Sequence, residues 1–349
     1  MQEGATRTVD YLGAALFTGA LVPILLGLTN KQSGDWTDPA VGGLLAVGAL
    51  VGLLFIFVES RAAEPIVPLH LFRNRSFAIS VSAVFLAAFG FFATIVFLPR
   101  WFQVVNGSSA TESGYQILPL LAGLIISAVT SGQLVSRTGR YKVFTLGALI
   151  LLAGGLFLLT NLRADTPLPI LWGWMFLTGI GVGPSFAVFT LIVQNTVPVK
   201  YLGTATSNLT FFQQVGGTVG LALTGTIFGT TLAQELPKQL AAGGVPPQIS
   251  EEFARAGTSN TLGGVGDLGA AILAGVPAEF RAQVEPFIPA IVGAFNQAFS
   301  IATASTFILG IGAALIAAVL VVFLREEPMS DTVAGIVAAR ERLVAGEGG

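Results

Sequence analysis

An all-α integral membrane protein with eight transmembrane helices is the fold class this sequence predicts. Three observations lead there. First, 53% of the 349 residues are hydrophobic and only 10% are charged, with a mean hydropathy of +0.78, whereas soluble domains carry about a quarter charged residues. Second, eight segments stay apolar over about 20 residues, the length that crosses ~30 Å of hydrocarbon. Third, runs such as AALIAAVLVVFL (313–324) lack the two-residue alternation of barrel strands, and only helices and closed barrels satisfy their own backbone in lipid.

In chain order the expected spans are 11–29, 39–58, 77–99, 116–135, 142–162, 168–193, 203–230 and 299–324. Lys and Arg in the loops set the orientation. With the N-terminus in the cytoplasm, the inner segments hold Arg7, Arg61, Arg73, Arg75, Arg137, Arg140, Lys142, Lys200, Arg325, Arg340 and Arg342. The outer side holds Lys31, Arg100, Arg163, Lys238, Arg255 and Arg281. Eight spans return the C-terminus to the cytoplasm as well. Residues 1–58 then form a two-span hairpin and 59–76 a cytoplasmic connector with two prolines. Residues 77–324 form a six-span bundle that includes a long outer loop, 231–297, and residues 325–349 form a cytoplasmic tail. Within the loop, PAEFRAQVEPFIPAIVGAF (277–295) spaces its apolar residues as an interfacial helix does. Six spans after the connector suggest three plus three, the inverted-repeat unit of many transporters.

Composition excludes several functions. A net charge of −2 provides no basic field for a nucleic-acid partner. The chain has no cysteine, which removes disulfides and thiol chemistry. The single histidine, His70 in the connector, cannot build a metal site alone. No cofactor is expected. Enzymatic chemistry requires a nucleophile with its base, a metal cluster or an acid pair at membrane depth, and the spans show none. The start, MQEGATRTVD, lacks the basic region of a secretory signal, and the apolar run after it is a span.

Three cations, Arg137, Arg140 and Lys142, crowd into SGQLVSRTGRYK (131–142) between two apolar runs. A tight inner turn at 136–141 accounts for them as membrane anchors. Gly139 allows that turn a positive φ, and Gly132 is expected to permit close helix contact. In the seventh span Asn208, Thr210, Gln213, Gln214, Gly217 and Thr224 are polar or small for lipid contact. Several recur at helical spacing, so they either line an aqueous route or bond a neighbouring helix. Phe85, Phe89 and Phe92 follow i, i+4, i+7 spacing. They either stack a flat apolar substrate or pack against a neighbour. Gly179, Gly181, Gly183 and Pro184 mark close packing and a permitted kink, and Gly216 with Gly220 reads first as a helix contact.

The inner turn, written Gly132-x-Leu134-x-Ser136-Arg137-x-Gly139-Arg140-x-Lys142, resembles the signature loop of the major facilitator superfamily. That loop helps hold the family's inner gate. Ser136 stands at the family's acidic position and Lys142 supplies the last cation one place late, as in a worn second copy. ESRAAEPIVPLHLFRNRSF (59–77), LPRWFQVVNGSSATESGYQILP (98–119), GIGVGPSFAVFTLIVQNTVP (179–198) and GTATSNLTFFQQVGGTVGLALTGTIF (203–228) resemble the fourteen-span drug:proton antiporters of the EmrB/QacA type. Asp10-x-x-Gly13 resembles the opening of their extra pair of spans. The resemblance runs over about residues 8–327 and covers spans seven to fourteen of the family plan.

It implies a two-helix insert followed by a six-helix major-facilitator C-terminal bundle in the cell membrane. The implied function is the C-terminal portion of a proton-driven multidrug or small-molecule efflux transporter. Such a portion shapes half of a cavity for a small apolar or cationic substrate. Its partners are the lipid bilayer and an N-terminal six-span half, in cis or in trans, which carries the proton-coupling residues and is missing from these 349 residues. The other expectation is a free-standing eight-span half-transporter or scaffold that pairs with itself or another half.

Overall fold

The structure, a computed structural model, describes residues 10–31, 35–61, 69–246, 281 and 284–326. It is all-helical, and among the described residues eight helices are long and apolar enough to cross a membrane.

The first pair is a hairpin of α1, Tyr11–Asn30, and α2, Leu44–Glu59, the latter entered through one π-helical turn at Pro39–Gly43. Asp10 caps α1, its Oδ1 accepting the Gly13 N–H at 2.7 Å, and so satisfies one of the donors a helix start leaves open. Helix α3, Arg75–Val105, starts at Asn74, whose side chain accepts from Ser76 and Phe77 and donates to the Thr196 carbonyl at 3.1 Å. One asparagine thus fixes the start of α3 to the backbone at Thr196. Short α4, Ala110–Gln116, opens with a capping box of Ser109 and Glu112. There follow α5, Leu118–Thr138, α6, Tyr141–Leu159, and α7, Leu168–Thr196. The last two are α8, Leu202–Ala242, and α9, Ile288–Val322.

The six helices after the hairpin pack in a repeated pattern. Helix α5 lies on α7 as α8 lies on α3, and α6 lies on α7 as α9 lies on α3. The members of each pair that the repeat would exchange, α3 with α7 and α6 with α9, also touch. That is the neighbour relation of two three-helix units in inverted arrangement. The symmetry fails at one place, where α8 and α9 pack extensively but α5 and α6 barely meet.

The hairpin meets the bundle through α1. Phe17 packs against Phe211 of α8 with ring centroids 4.7 Å apart and planes tilted by 53°, and Thr226 donates to the Leu28 carbonyl at 2.9 Å. Two contacts in that order make α1 and α8 parallel. The core runs along α3, α7 and α9, with Phe77, Phe102, Phe189 and Phe307 fully buried.

Helix ends depart from the sequence expectation. The seventh span, expected over 203–230, continues to Ala242, and the last begins at Ile288 rather than 299. A helix of 41 residues is about 60 Å long at 1.5 Å per residue, well beyond the hydrocarbon. Leu236, Leu240, Val284 and Ile291 are buried in this extension, so helix–helix packing takes over where lipid ends. Of the expected interfacial helix 277–295, residues 288–295 are the first turns of α9; residues 277–280 and 282–283 lie outside the described residues. So do residues 327–349 of the expected tail and 62–68 of the connector.

Candidate functional site

Helix α8 presents a polar stripe along one side. Gly203, Ser207, Thr210, Gln214 and Thr218 are all exposed, and their spacing keeps them on one helical face. An open cleft of about 460 Å³ lies there, lined by Thr206, Ser207, Thr210, Phe211 and Gln214. Threonine hydroxyls on this side donate back to their own helix: Thr206 to the Leu202 carbonyl at 2.8 Å and Thr210 to that of Thr206 at 3.2 Å. Their lone pairs therefore face outward, next to the Gln214 amide and the Phe211 ring. The lining is neutral and acceptor-rich. Such a surface suits water, neutral polar groups or a cation over an aromatic face.

The expected cavity residues divide on this geometry. Gln214 is exposed in the cleft and Gln213 is half-buried beside it. Asn208 is only 3% exposed and donates to the Thr204 carbonyl at 2.9 Å, so it points into the bundle. Phe89, 7% exposed, packs against Gly220. Half-buried Phe92 covers Gly217, where an added Cβ would meet its ring at 2.5 Å. The Phe85 backbone lies directly against Gly216, and its ring is 5.4 Å from that of Phe89. The aromatic stripe of α3 thus interlocks with the glycines of α8, and Phe85 and Phe92 keep partial exposure at its margin.

Helix α7 is gripped from two sides. Gly179 and Gly183 sit against the backbone of α5 at Leu120 and Leu124, and Gly181 sits against Leu152 of α6. Pro184 is buried next to them. No larger side chain fits at these glycines without moving a backbone.

The turn between α5 and α6 is closed by Gly139 at φ +69°, its N–H donating to the Val135 carbonyl at 2.8 Å. Ser136 bonds locally, to the Gln133 carbonyl at 2.9 Å. Arg137 and Arg140 are exposed and Lys142 half-buried, and none of the three forms an ion pair among the described residues. The turn is also tied to the end of α9. Buried Tyr141 donates its hydroxyl to the Arg325 carbonyl at 2.8 Å, and the Lys142 N–H reaches Glu326 Oε1 at 3.1 Å. Gly132 corrects an expectation: a Cβ there would meet nothing within 4 Å, so it mediates no close helix contact. Its neighbours on α5 face the gap beside α6 rather than a packed helix.

Three features escaped the sequence. Ser207 and Phe211 line the cleft, and the 3.6-residue period of exposed polar positions was the available signal for Ser207. Tyr141 and residues 325–326 join across the fold without any local signature. Gly13 leaves room for two carboxylates, because a Cβ there would lie 2.5 Å from Asp10 Oδ2 and 2.9 Å from Glu59 Oε2.

A family model, the Major Facilitator Superfamily, matches residues 9–221. An uncharacterized MFS-type transporter of Mycobacterium tuberculosis is 32% identical over 327 residues, 93% of this chain and 43% of the relative. The multidrug transporter protein MdtP of Bacillus subtilis is 34% identical over 241 residues, 68% of this chain and 44% of its own length. A tetracycline resistance determinant of Streptomyces rimosus is 35% identical over 219 residues, 62% of each chain. The chain therefore spans about half the length of the curated relatives it matches. In fold it is similar to a bacterial homolog of the human lysosomal transporter Spinster, solved inward-facing and unoccupied. The TM-score is 0.52 at 12% identity, over 92% of this chain and 71% of that one.

Proposed function

The chain belongs to the Major Facilitator Superfamily, and from that premise we propose that it supplies the C-terminal eight spans of a proton-driven, fourteen-span efflux transporter. A single observation carries the reading: a neutral polar stripe on α8, open to a cleft and bordered by Phe211, on a helix that otherwise crosses lipid. Polar side chains at membrane depth face a water-filled route or a partner helix. The cleft wall at Thr210 and Gln214 forms half of the substrate cavity, and a second six-span half completes it. Outward lone pairs and a phenyl face suit a small apolar or cationic compound. Similarity to a multidrug transporter and to a tetracycline resistance determinant supports export as the direction.

Rocking of the two halves would expose the cavity to each side in turn. The lining of α8 carries no charge, so proton coupling is assigned to acids of the accompanying N-terminal half, joined in cis or supplied in trans. The inner turn at Arg137 and Arg140 serves the gate on the cytoplasmic face of the cell membrane, where both termini also lie.

The test is efflux of a fluorescent cationic dye from pump-deficient cells. This chain would be expressed alone, and together with the part of the mycobacterial relative that it does not match. The proposal expects efflux only with both parts, collapse by a protonophore, and an altered dye preference in Gln214→Leu. Efflux by the chain alone would establish the free-standing oligomer instead, and unchanged efflux of every dye by Gln214→Leu would remove the α8 face from the cavity.

A further inference from the structure

The broken symmetry of the bundle leaves a second, unassigned cleft. In its second half α8 packs on α9: Phe228 meets Phe299 with ring centroids 5.1 Å apart, and Ser305 bonds Thr231 at 3.1 Å. At the corresponding place in the other unit, α5 and α6 splay apart. The gap is a cleft of about 240 Å³ with Thr130, Leu134, Val143, Phe144 and Gly147 on its walls and Pro184 of α7 at its floor. It is open toward lipid: Leu134 is 46% and Val143 67% exposed.

Its chemistry is apolar despite three hydroxyls. Ser127 donates to the Leu124 carbonyl, Thr130 to that of Ile126, and Ser131 to that of Ala128. With those donors satisfied, the walls offer hydrocarbon to whatever enters. The mouth is the opposite. Leu134 and Val143 end the cleft one turn from Arg137 and next to Lys142, with Arg140 between the two helices. Glu326 is the counter-charge at this mouth, held on the Lys142 N–H, and exposed Arg325 adds a cation. The balance is positive. An apolar slot in the membrane below a cationic rim matches one kind of occupant.

We propose that this cleft is a binding site for an anionic phospholipid, with one acyl chain between α5 and α6 and the phosphate at Arg137 and Arg140. Cations clustered at a membrane face attract anionic headgroups, and the slot would convert that attraction into a slowly exchanging lipid. The site is separate from the α8 cleft, and its test needs no transport.

The experiment is native mass spectrometry of the purified chain, equilibrated in detergent with equal phosphatidylglycerol and phosphatidylcholine. Wild-type protein is expected to retain phosphatidylglycerol preferentially. The pair Arg137→Ala with Arg140→Ala should cut that preference by about 30-fold, at the strength typical of a cation near a lipid surface. Gly147→Leu fills the slot from a position where an added Cβ meets nothing within 4 Å, and should abolish retention of both lipids. Val143→Trp does the same from an exposed position, so the result does not rest on one variant. Equal retention of the two lipids by wild-type protein would overturn the proposal. So would retention unchanged in both slot-filling variants, which would leave only a nonspecific lipid belt.

Discussion

The indole N–H of Trp101 donates to the hydroxyl of Ser300 across 2.8 Å, with both side chains fully buried between α3 and α9. Removing the acceptor strands a buried donor, which costs about 1–3 kcal/mol in soluble proteins and averages nearer ~0.6 kcal/mol in membrane helices. Ser300→Ala should therefore lower stability by about 1 kcal/mol, read as a lower melting midpoint in detergent, while Ser300→Thr keeps most of it. A midpoint equal to wild type in the alanine variant would assign that contact no net stabilisation.

Two glycines on separate helices of the bundle should respond differently. Gly216 lies against the Phe85 carbonyl, whereas Gly132 faces open space. Gly216→Ala should destabilise by about 1–3 kcal/mol through overpacking. Gly132→Ala should be neutral or stabilising, because alanine favours a helix by up to ~1 kcal/mol over glycine. Thermal melts of the two variants side by side test this.

Gly139 holds φ +69° at the exit of α5, a conformation that costs an L-residue roughly 1–2 kcal/mol. Nothing lies within 4 Å of an added Cβ, so the penalty in Gly139→Ala is conformational and not steric. The expected loss is about 1 kcal/mol, and Gly139→Asn should restore part of it, since asparagine tolerates this region.

Tyr141→Phe removes the hydroxyl that reaches the Arg325 carbonyl. The global loss should be about 1 kcal/mol, but the local effect is larger, because the change removes one hydrogen bond between the end of α9 and the α5–α6 turn and leaves that of Glu326 to the Lys142 N–H. Limited trypsin digestion should cut after Arg325 faster than in wild type. Equal cutting rates would show that the tyrosine does not fasten this segment.

The chain has no cysteine, so single cysteines report topology directly. Thr138 in the α5–α6 turn and Asp165 between α6 and α7 are both exposed. An impermeant thiol reagent added to intact cells should label Asp165→Cys and spare Thr138→Cys, as the positive-inside rule requires. The reverse pattern would invert the orientation proposed above.

Much of the architecture was legible because it depends on local composition. A run of about 20 apolar residues has few stable fates other than a membrane helix, so all eight spans were readable within a few residues at most ends. The turn at Gly139 was equally local, since a small residue with positive φ between two helices leaves a sequence mark. The C-terminal end of α8 and the N-terminal end of α9 were not. Beyond the hydrocarbon their helicity rests on Leu236, Leu240 and Ile291 meeting across the fold, and hydropathy along one segment carries no record of such a partner.

The candidate site shows the same division. Sequence placed Asn208, Gln213 and Gln214 together as polar residues of one span, but could not say which of them faces open space. Helix α3 decides that: its phenyl rings settle on Gly217 and Gly220, which leaves Gln214 outward and Asn208 buried. By itself, then, the sequence determined membrane residence, helix number and the cationic turn, all set by short-range hydrophobicity and charge. Only the tertiary structure decided which polar face stays open, which glycines carry contacts and where α5 parts from α6. Those depend on pairwise fit between surfaces distant in the chain, and close packing resolves them to fractions of an ångström.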